Sequence, residues 1–280
     1  MDALDHLNEV LPKISERKFI LFIGAGISKI SGCADWDGMV NSMAADLGET
    51  ISFERISHNE WLQHFKLAYE KNGNGNKFWQ IVREGIIPNP KQLSESYIPL
   101  AKILQQIRPQ PPILTTNIDN CLEMTRLFSA DVYRRLSEFT QANLNTGGIF
   151  HIHGSIEDLE NALITTSQYQ QHYETPEMRT FLDAVFNNEH SVLFLGYGLK
   201  DAELKMKIRN NRRQGAHYAL VPAEDNFRPE EIATFKDVHG VNIIVYGNRS
   251  SLKQSLEGWI SKVFAVSTLE ENEKNMCGEQ

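Results

Sequence analysis

The sequence predicts an α/β protein built on a Rossmann-like, mostly parallel sheet with helices on both faces and a helical insertion. Three observations predict it. Short apolar, β-branched runs recur along the chain with little polar alternation, as strands buried on both faces require. Segments of helical period separate them, which is the alternation that βαβ units produce. Two of the runs end directly at glycines, where a parallel strand gives way to the loop before its helix.

Residues 2–17 read as a helix, and Lys18-Phe-Ile-Leu-Phe-Ile23 as an apolar strand that stops at Gly24-Ala25-Gly26. From Trp36 to about Arg108 the pattern is mainly helical, with Trp61, Phe65 and Ala68 or Tyr69 at helical spacing. The turn-forming Asn72-Gly-Asn-Gly-Asn76, Pro88 and Pro90 interrupt it. This stretch is the predicted insertion. Further strands are expected at Pro112-Ile-Leu-Thr-Thr116, Ile149-Phe-His-Ile-His153, Ser191-Val-Leu-Phe-Leu195, His217-Tyr-Ala-Leu-Val221 and Val241-Asn-Ile-Ile-Val-Tyr246. Helices are expected over residues 178–188, 202–211, 229–238 and 252–264. Residues 1–267 then make one domain, with the insertion at about 36–108, and 268–280 form a polar tail.

A chain of 280 residues with 41% hydrophobic content can hold one large core with an elaboration. No apolar run approaches the roughly 18 to 20 residues that cross a bilayer. The start of the chain lacks the basic, apolar and small-residue regions of a secretory signal, so a soluble, cytoplasmic protein is expected, with no membrane partner. A formal net charge of −8 argues against a nucleic-acid grip by this chain alone. Arg209, Arg212 and Arg213 make only a small basic cluster, read as a solvated helix end. Cys33, Cys121 and Cys277 show neither a disulfide framework nor paired zinc-ligand spacing, so reduced, structural thiols are expected.

Four segments carry the candidate chemistry. Gly24-Ala25-Gly26-Ile-Ser28 follows the first strand, where glycines let backbone approach a pyrophosphate; without a third glycine, a tight structural turn explains it as well. Thr115-Thr116-Asn117-Ile118-Asp119 puts an amide and a carboxylate two residues apart past a strand's carboxyl end, either lining a ligand crevice or forming an Asx turn before the next helix. His151 and His153 share a face of an ideal strand, so a turn at Gly154 must separate their environments. His153 is the candidate base and His151 a hydrogen-bonded structural histidine. Gly196-Tyr197-Gly198-Leu-Lys-Asp201 repeats the strand-to-glycine-loop arrangement, with Asp201 placed to cap the helix that follows.

In this order the segments resemble the sirtuin superfamily, and more closely its bacterial antiphage-defence members than its protein deacylases. Gly24 to Ser28 resembles the sirtuin phosphate loop. Ser31-Gly-Cys-Ala-Asp35-Trp36 stands where the deacylases carry a Gly-Ile-Pro-Asp-Phe-Arg loop over the nicotinamide pocket, here without the proline and arginine. Thr116-Asn117-Ile118-Asp119 resembles the Gln-Asn-Ile-Asp motif with threonine for glutamine, His153-Gly154-Ser155 the catalytic His-Gly pair, and Gly196 to Asp201 the defence branch in particular. Deacylases carry a four-cysteine zinc module after the catalytic histidine, yet no cysteine lies between Cys121 and Cys277.

The resemblance therefore implies an NAD glycohydrolase that uses NAD as substrate and no zinc. His153, Asn117 and Asp119 would be catalytic, and Gly24, Ala25, Gly26, Ser28, Asp35, Trp36, Thr116, Gly196 and Tyr197 would bind NAD. A non-catalytic NAD- or ADP-ribose-sensing module and an NAD-dependent deacylase or ADP-ribosyltransferase are the alternatives. A defence NADase must stay silent until infection. A homo-oligomer and a partner from the same defence system, such as a HerA-type ATPase or an Argonaute-like protein, are expected to control it.

Overall fold

Five consecutive apolar residues form strand β1 (Phe19–Ile23), and all five are buried, as a central strand covered on both faces requires. The computed structural model describes residues 19–254 except 55, 107–109, 128–129, 188–189, 200–201, 211–216 and 249–250. The helix expected over 2–17, the polar tail, Asp201, Cys277, Arg212, Arg213 and most of the 252–264 segment lie outside the described residues, as does the Arg209 side chain.

Six more strands follow: β2 (Pro112–Thr115), β3 (Val132–Tyr133), β4 (Gly148–His151), β5 (Ser191–Leu195), β6 (His217–Pro222) and β7 (Val241–Tyr246). They form one sheet in the order β3-β4-β2-β1-β5-β6-β7, with every pairing parallel. The chain works outward from β1 through β2 to β3 and β4, then crosses back and adds β5 on the other side of β1. Strand order reverses there, and open parallel sheets bind ligands beyond the carboxyl ends of the strands at such a point.

Side-chain alternation splits β1 between two cores. Phe19, Leu21 and Ile23 pack with Leu100, Ala101 and Leu104 of helix α5 (Tyr97–Gln106) on one face. Ile20 and Phe22 pack with Phe181, Leu182 and Val185 of α9 (Pro176–Val185) on the other. A third cluster joins Met39 and Val40 of α2 (Trp36–Leu47), Leu62 and Phe65 of α3 (His58–Lys71), and Phe78 and Val82 of α4 (Gly75–Ile86). The separately packed lobe is thus made by α2 to α4. The α5 helix, although inside the predicted insertion, covers the sheet because its apolar stripe meets the Leu21 face.

Several local features differ from what the sequence predicts. β4 stops at His151 rather than His153, because Gly154 takes φ +82 and the His153 carbonyl accepts from Leu163 N at 2.9 Å, so the chain is already turning. β3 was not predicted, since two residues show no period. Helix α8 (Thr166–Glu174) was not predicted either; it ends where Pro176 starts α9, and α9 stops short of the predicted residue 188.

Candidate active site

The β1 loop turns directly into α1 (Ala25–Ile30), and its glycines answer first to another loop of the same chain. Gly24 N donates to Leu195 O at 2.9 Å and Gly26 N to Gly196 O at 2.8 Å, tying the loop after β1 to the loop after β5. A Cβ on Gly24 would stand 2.6 Å from Tyr197 Cα, and one on Gly26 would stand 2.8 Å from Gly196 O. Gly196 has φ +62, and a Cβ there would stand 2.5 Å from Ile27 N. Close packing between two backbones therefore accounts for these three glycines. Tyr197 completes the contact by lying against the rings of Phe22 and Phe194, at 4.9 and 5.7 Å between centroids.

Ser28, on α1, is buried and points to the end of β2. Its Oγ lies 2.6 Å from Asp119 Oδ2, 2.8 Å from Tyr97 Oη and 2.9 Å from Asn117 Nδ2. A carboxylate only accepts, so the Ser28 proton goes to Asp119, and the two serine lone pairs take the Asn117 amide and the Tyr97 hydroxyl. Burial, then the charge of Asp119, push the Tyr97 phenol well above its usual pKa and keep it a donor. Asp119 Oδ1 also accepts from Cys121 N at 3.1 Å, so the Asx turn and the buried polar cluster coexist. Asn117 Oδ1 is buried and has no hydrogen-bond partner among the described residues. A buried amide oxygen of that kind costs free energy unless something donates to it.

Thr115 and His151 are register partners at the ends of β2 and β4, and Asn117 and His153 each follow one of these adjacent strand ends by two residues. His151 is 1% exposed and held by both nitrogens: Nδ1 lies 3.1 Å from Asn117 O and Nε2 2.8 Å from Glu123 Oε1. Burial alone would raise the Glu123 pKa, but the His151 hydrogen bond and charge outweigh it and lower the net value. His151 thereby fixes the backbone beneath Asn117.

His153 is 2% exposed and lies between two phenols of α8, with Nε2 at 2.6 Å from Tyr173 Oη and Nδ1 at 3.1 Å from Tyr169 Oη. Burial, with His172 nearby, pushes its pKa down to about 3, so the ring is neutral at pH 7, with one nitrogen donating and the other accepting. Tyr169 and Tyr173 escaped the sequence reading. The Thr165-x-x-Gln168 capping box that starts α8 was the available signal for their helix.

The remaining expected residues stand at helix starts and just past strand ends. Asp35 caps α2 by accepting from Gly38 N at 2.9 Å and pairs with Lys29 at 2.5 Å; burial works to raise its pKa, yet these bonds leave it lowered. Trp36 packs, partly buried, against the helical lobe. Ala25 and Thr116 are half-buried at the ends of β1 and β2. Residues far apart in sequence also meet here: Cys33 and Cys121 place their sulfurs 3.7 Å apart, and with Asp119 their ligand atoms fall within 4.8 Å of one another. A small cavity of about 10 Å³ adjoins Tyr97, Thr115, Asp119 and His151, roomy enough for about one water.

The parallel Rossmann-like sheet thus carries a buried Ser-Asn-Asp cluster and a buried histidine past neighbouring strand ends, where sheets of this class bind ligands. Residues 111–244 match the SIR2-like domain. The chain is 25% identical over 203 residues to the NAD(+) hydrolase ThsA of Cytobacillus dafuensis, covering 71% of this chain and 39% of that protein. Identity to Defense-associated sirtuin 2 of Bacillus subtilis is 21% over 212 residues, covering 74% and 20%, and to ThsA of Bacillus cereus 21% over 239 residues, covering 81% and 47%. The chain thus spans less than half the length of these relatives. A solved Sir2 homologue in complex with ADP-ribose is similar in shape, with a TM-score of 0.48 and 13% identity over 92% of this chain and 97% of that one.

Proposed function

We propose that this chain is an NAD glycohydrolase that cleaves NAD to nicotinamide and ADP-ribose, and that it is the NAD-depleting effector of an antiphage system. The observation that carries the reading is the buried, unpartnered Asn117 Oδ1, whose amide is held by Ser28 two residues past β2, next to the β4 strand that His153 follows by two residues. A ribose hydroxyl or an attacking water supplies the donor this oxygen lacks. Relatives named NAD(+) hydrolase support the choice of substrate.

The chemistry suits such a site. When the C1′–N bond breaks, its electron pair leaves on nicotinamide, which departs neutral, so no acid is needed to protonate it. Water then forms the new C1′–O bond. Oxygen that adds to an oxocarbenium-like carbon becomes strongly acidic, so a neutral imidazole with a pKa of about 3 is base enough to take its proton. Asn117 positions ribose and water, Asp119 holds the Ser28 network in place, and the loops around Gly24 to Ser28, Asp35, Trp36, Thr116, Gly196 and Tyr197 enclose the dinucleotide. Nicotinamide release should fall at least about a hundredfold in His153→Ala and in Asn117→Ala, with circular dichroism unchanged. Wild-type turnover in both variants would overturn the assignment.

Control belongs to the same reading: a cytoplasmic homo-oligomer with low activity alone, released by a defence-system partner. Phe53, Ile56, Leu67 and Ile87, exposed by 38 to 58%, lie on or beside the α2–α4 lobe and suit it to an interface. Light scattering alongside NAD turnover, with and without a candidate partner, tests this. A monomer at full rate, indifferent to any partner, would sink it. We also read Cys33 and Cys121 as reduced structural thiols that need no zinc. The Cys33 hydrogen bond, then burial, pushes the Cys121 thiol up, and both Asp119 oxygens are already committed to Ser28 and Cys121 N. One zinc per purified chain by elemental analysis would overturn that.

A further inference from the structure

Beside the turn that carries His153 lies a separate cavity of about 310 Å³, walled by Leu136, Phe139 and Leu163 and reached by Arg134, Arg135, Ser155 and His172. Ser155 is 1% exposed, and its Oγ has no hydrogen-bond partner; Arg134 Nε and His172 Nε2 are likewise buried and unpartnered among the described residues. Each of the three is oriented by something else. Arg134 is pinned through Nη2 by Glu157 at 3.0 Å and Glu123 at 3.7 Å, which leaves its Nε–H unused. His172 bonds the Ile152 backbone through its other nitrogen, so its Nε2 presents a lone pair. Asp158, the acid in the lining, is taken up by Asn161 Nδ2, 3.0 Å from both its oxygens. The cavity therefore offers two fixed donors, one acceptor, an exposed guanidinium and an apolar wall.

We propose that this cavity is a second ligand site, taking a phosphorylated sugar or mononucleotide whose anionic group meets Arg134, Arg135 and Ser155 and whose hydroxyl donates to His172. Its volume sits at the low end of small-molecule sites, about 300 to 1,000 Å³, which suits one sugar phosphate and not a dinucleotide. Ile152 and Gly154, on either side of His153, also line it, so an occupant reaches the backbone that aims the histidine. Two sites in one chain with different ligands are what control of one by the other requires.

Calorimetric titration of the wild-type chain with ribose 5-phosphate, AMP and inorganic phosphate tests the site without any measurement of NAD turnover. Ribose 5-phosphate or AMP should bind at least about tenfold more tightly than inorganic phosphate. Ser155→Ala and Arg135→Ala should each weaken that binding about tenfold, the loss of one hydrogen bond to a charged group. The melting temperature should fall little in either variant, because Ser155 Oγ bonds to no other described residue and Arg135 is exposed. No binding of the three probes at millimolar concentration, equal binding of all three, or wild-type binding in both variants would overturn the proposal.

Discussion

Ser28 Oγ and Asp119 Oδ2 meet at 2.6 Å across 91 positions of sequence, joining the helix after β1 to the turn after β2. The same serine oxygen accepts from Asn117 and Tyr97, so Ser28→Ala strips three groups of a partner at once. A buried bond to a charged acceptor contributes about 1.5 to 3 kcal/mol, and stranded donors add to the loss. Ser28→Ala should therefore lower unfolding free energy by about 2 to 4 kcal/mol in urea and reduce nicotinamide release as Asn117 loses its orientation. A change under about 0.5 kcal/mol would show that the cluster is not a stability element.

Gly24 and Gly26 give a second test, because their contacts are with the chain itself. A methyl at either position collides with the backbone of Gly196 and Tyr197, which cannot swing away as a side chain can. Gly24→Ala and Gly26→Ala should each destabilise the protein by about 2 kcal/mol or more with no NAD present. If instead their melting curves match wild type and only NAD binding is lost, the glycines serve the dinucleotide and not the loop contact.

The parts of this molecule with a strong local signal were readable in advance. Apolar runs such as Phe19 to Ile23 announce buried strands, and Asn117 and Asp119 stand out because they follow one immediately. What the sequence hides is partnership at a distance. Nothing local couples Ser28 to Tyr97, 69 positions away, or brings Cys33 within 3.7 Å of Cys121. The tyrosines around His153 sit on a nine-residue helix with only a shallow apolar stripe, Tyr173 being its one buried residue, so periodicity could not find it. Likewise nothing local shows that the two glycine loops pack on each other, since Gly24 and Gly196 are 172 positions apart.

The buried histidines predict an acid-sensitive fold. Burial pushes His153 down to about 3 and His172 to about 4 from an ordinary 6.5. Between those values the unfolded chain binds protons that the folded chain refuses, so stability is full above about pH 6.5 and is lost as pH falls toward 4. At pH 5, still above the ordinary carboxylate range, each histidine should cost on the order of 2 kcal/mol. Urea midpoints should fall from pH 7.5 to pH 5, and His172→Gln should lose about half of that slope. Equal midpoints at both pH values would mean that these rings are solvated.

The last prediction separates a positioned base from a merely buried ring. Tyr173 Oη lies 2.6 Å from His153 Nε2 and Tyr169 Oη lies 3.1 Å from Nδ1, so the phenols decide which nitrogen carries the proton and where the ring points. Tyr173→Phe keeps the aromatic packing, with ring centroids 5.8 Å apart, and deletes only the hydroxyl. Freed of that bond, the ring can rotate or change tautomer, and a base misplaced in this way loses part of the 10² to 10⁴-fold, roughly, that general-base catalysis supplies. For Tyr173→Phe we expect kcat for nicotinamide release to fall about ten- to a hundredfold, KM to change less than about threefold, and the pH profile of kcat to shift. Tyr169→Phe, at the longer bond, should lose less. A purely structural role would lower the melting temperature and leave both kcat and its pH profile where they were, and that result would remove Tyr173 from the working site.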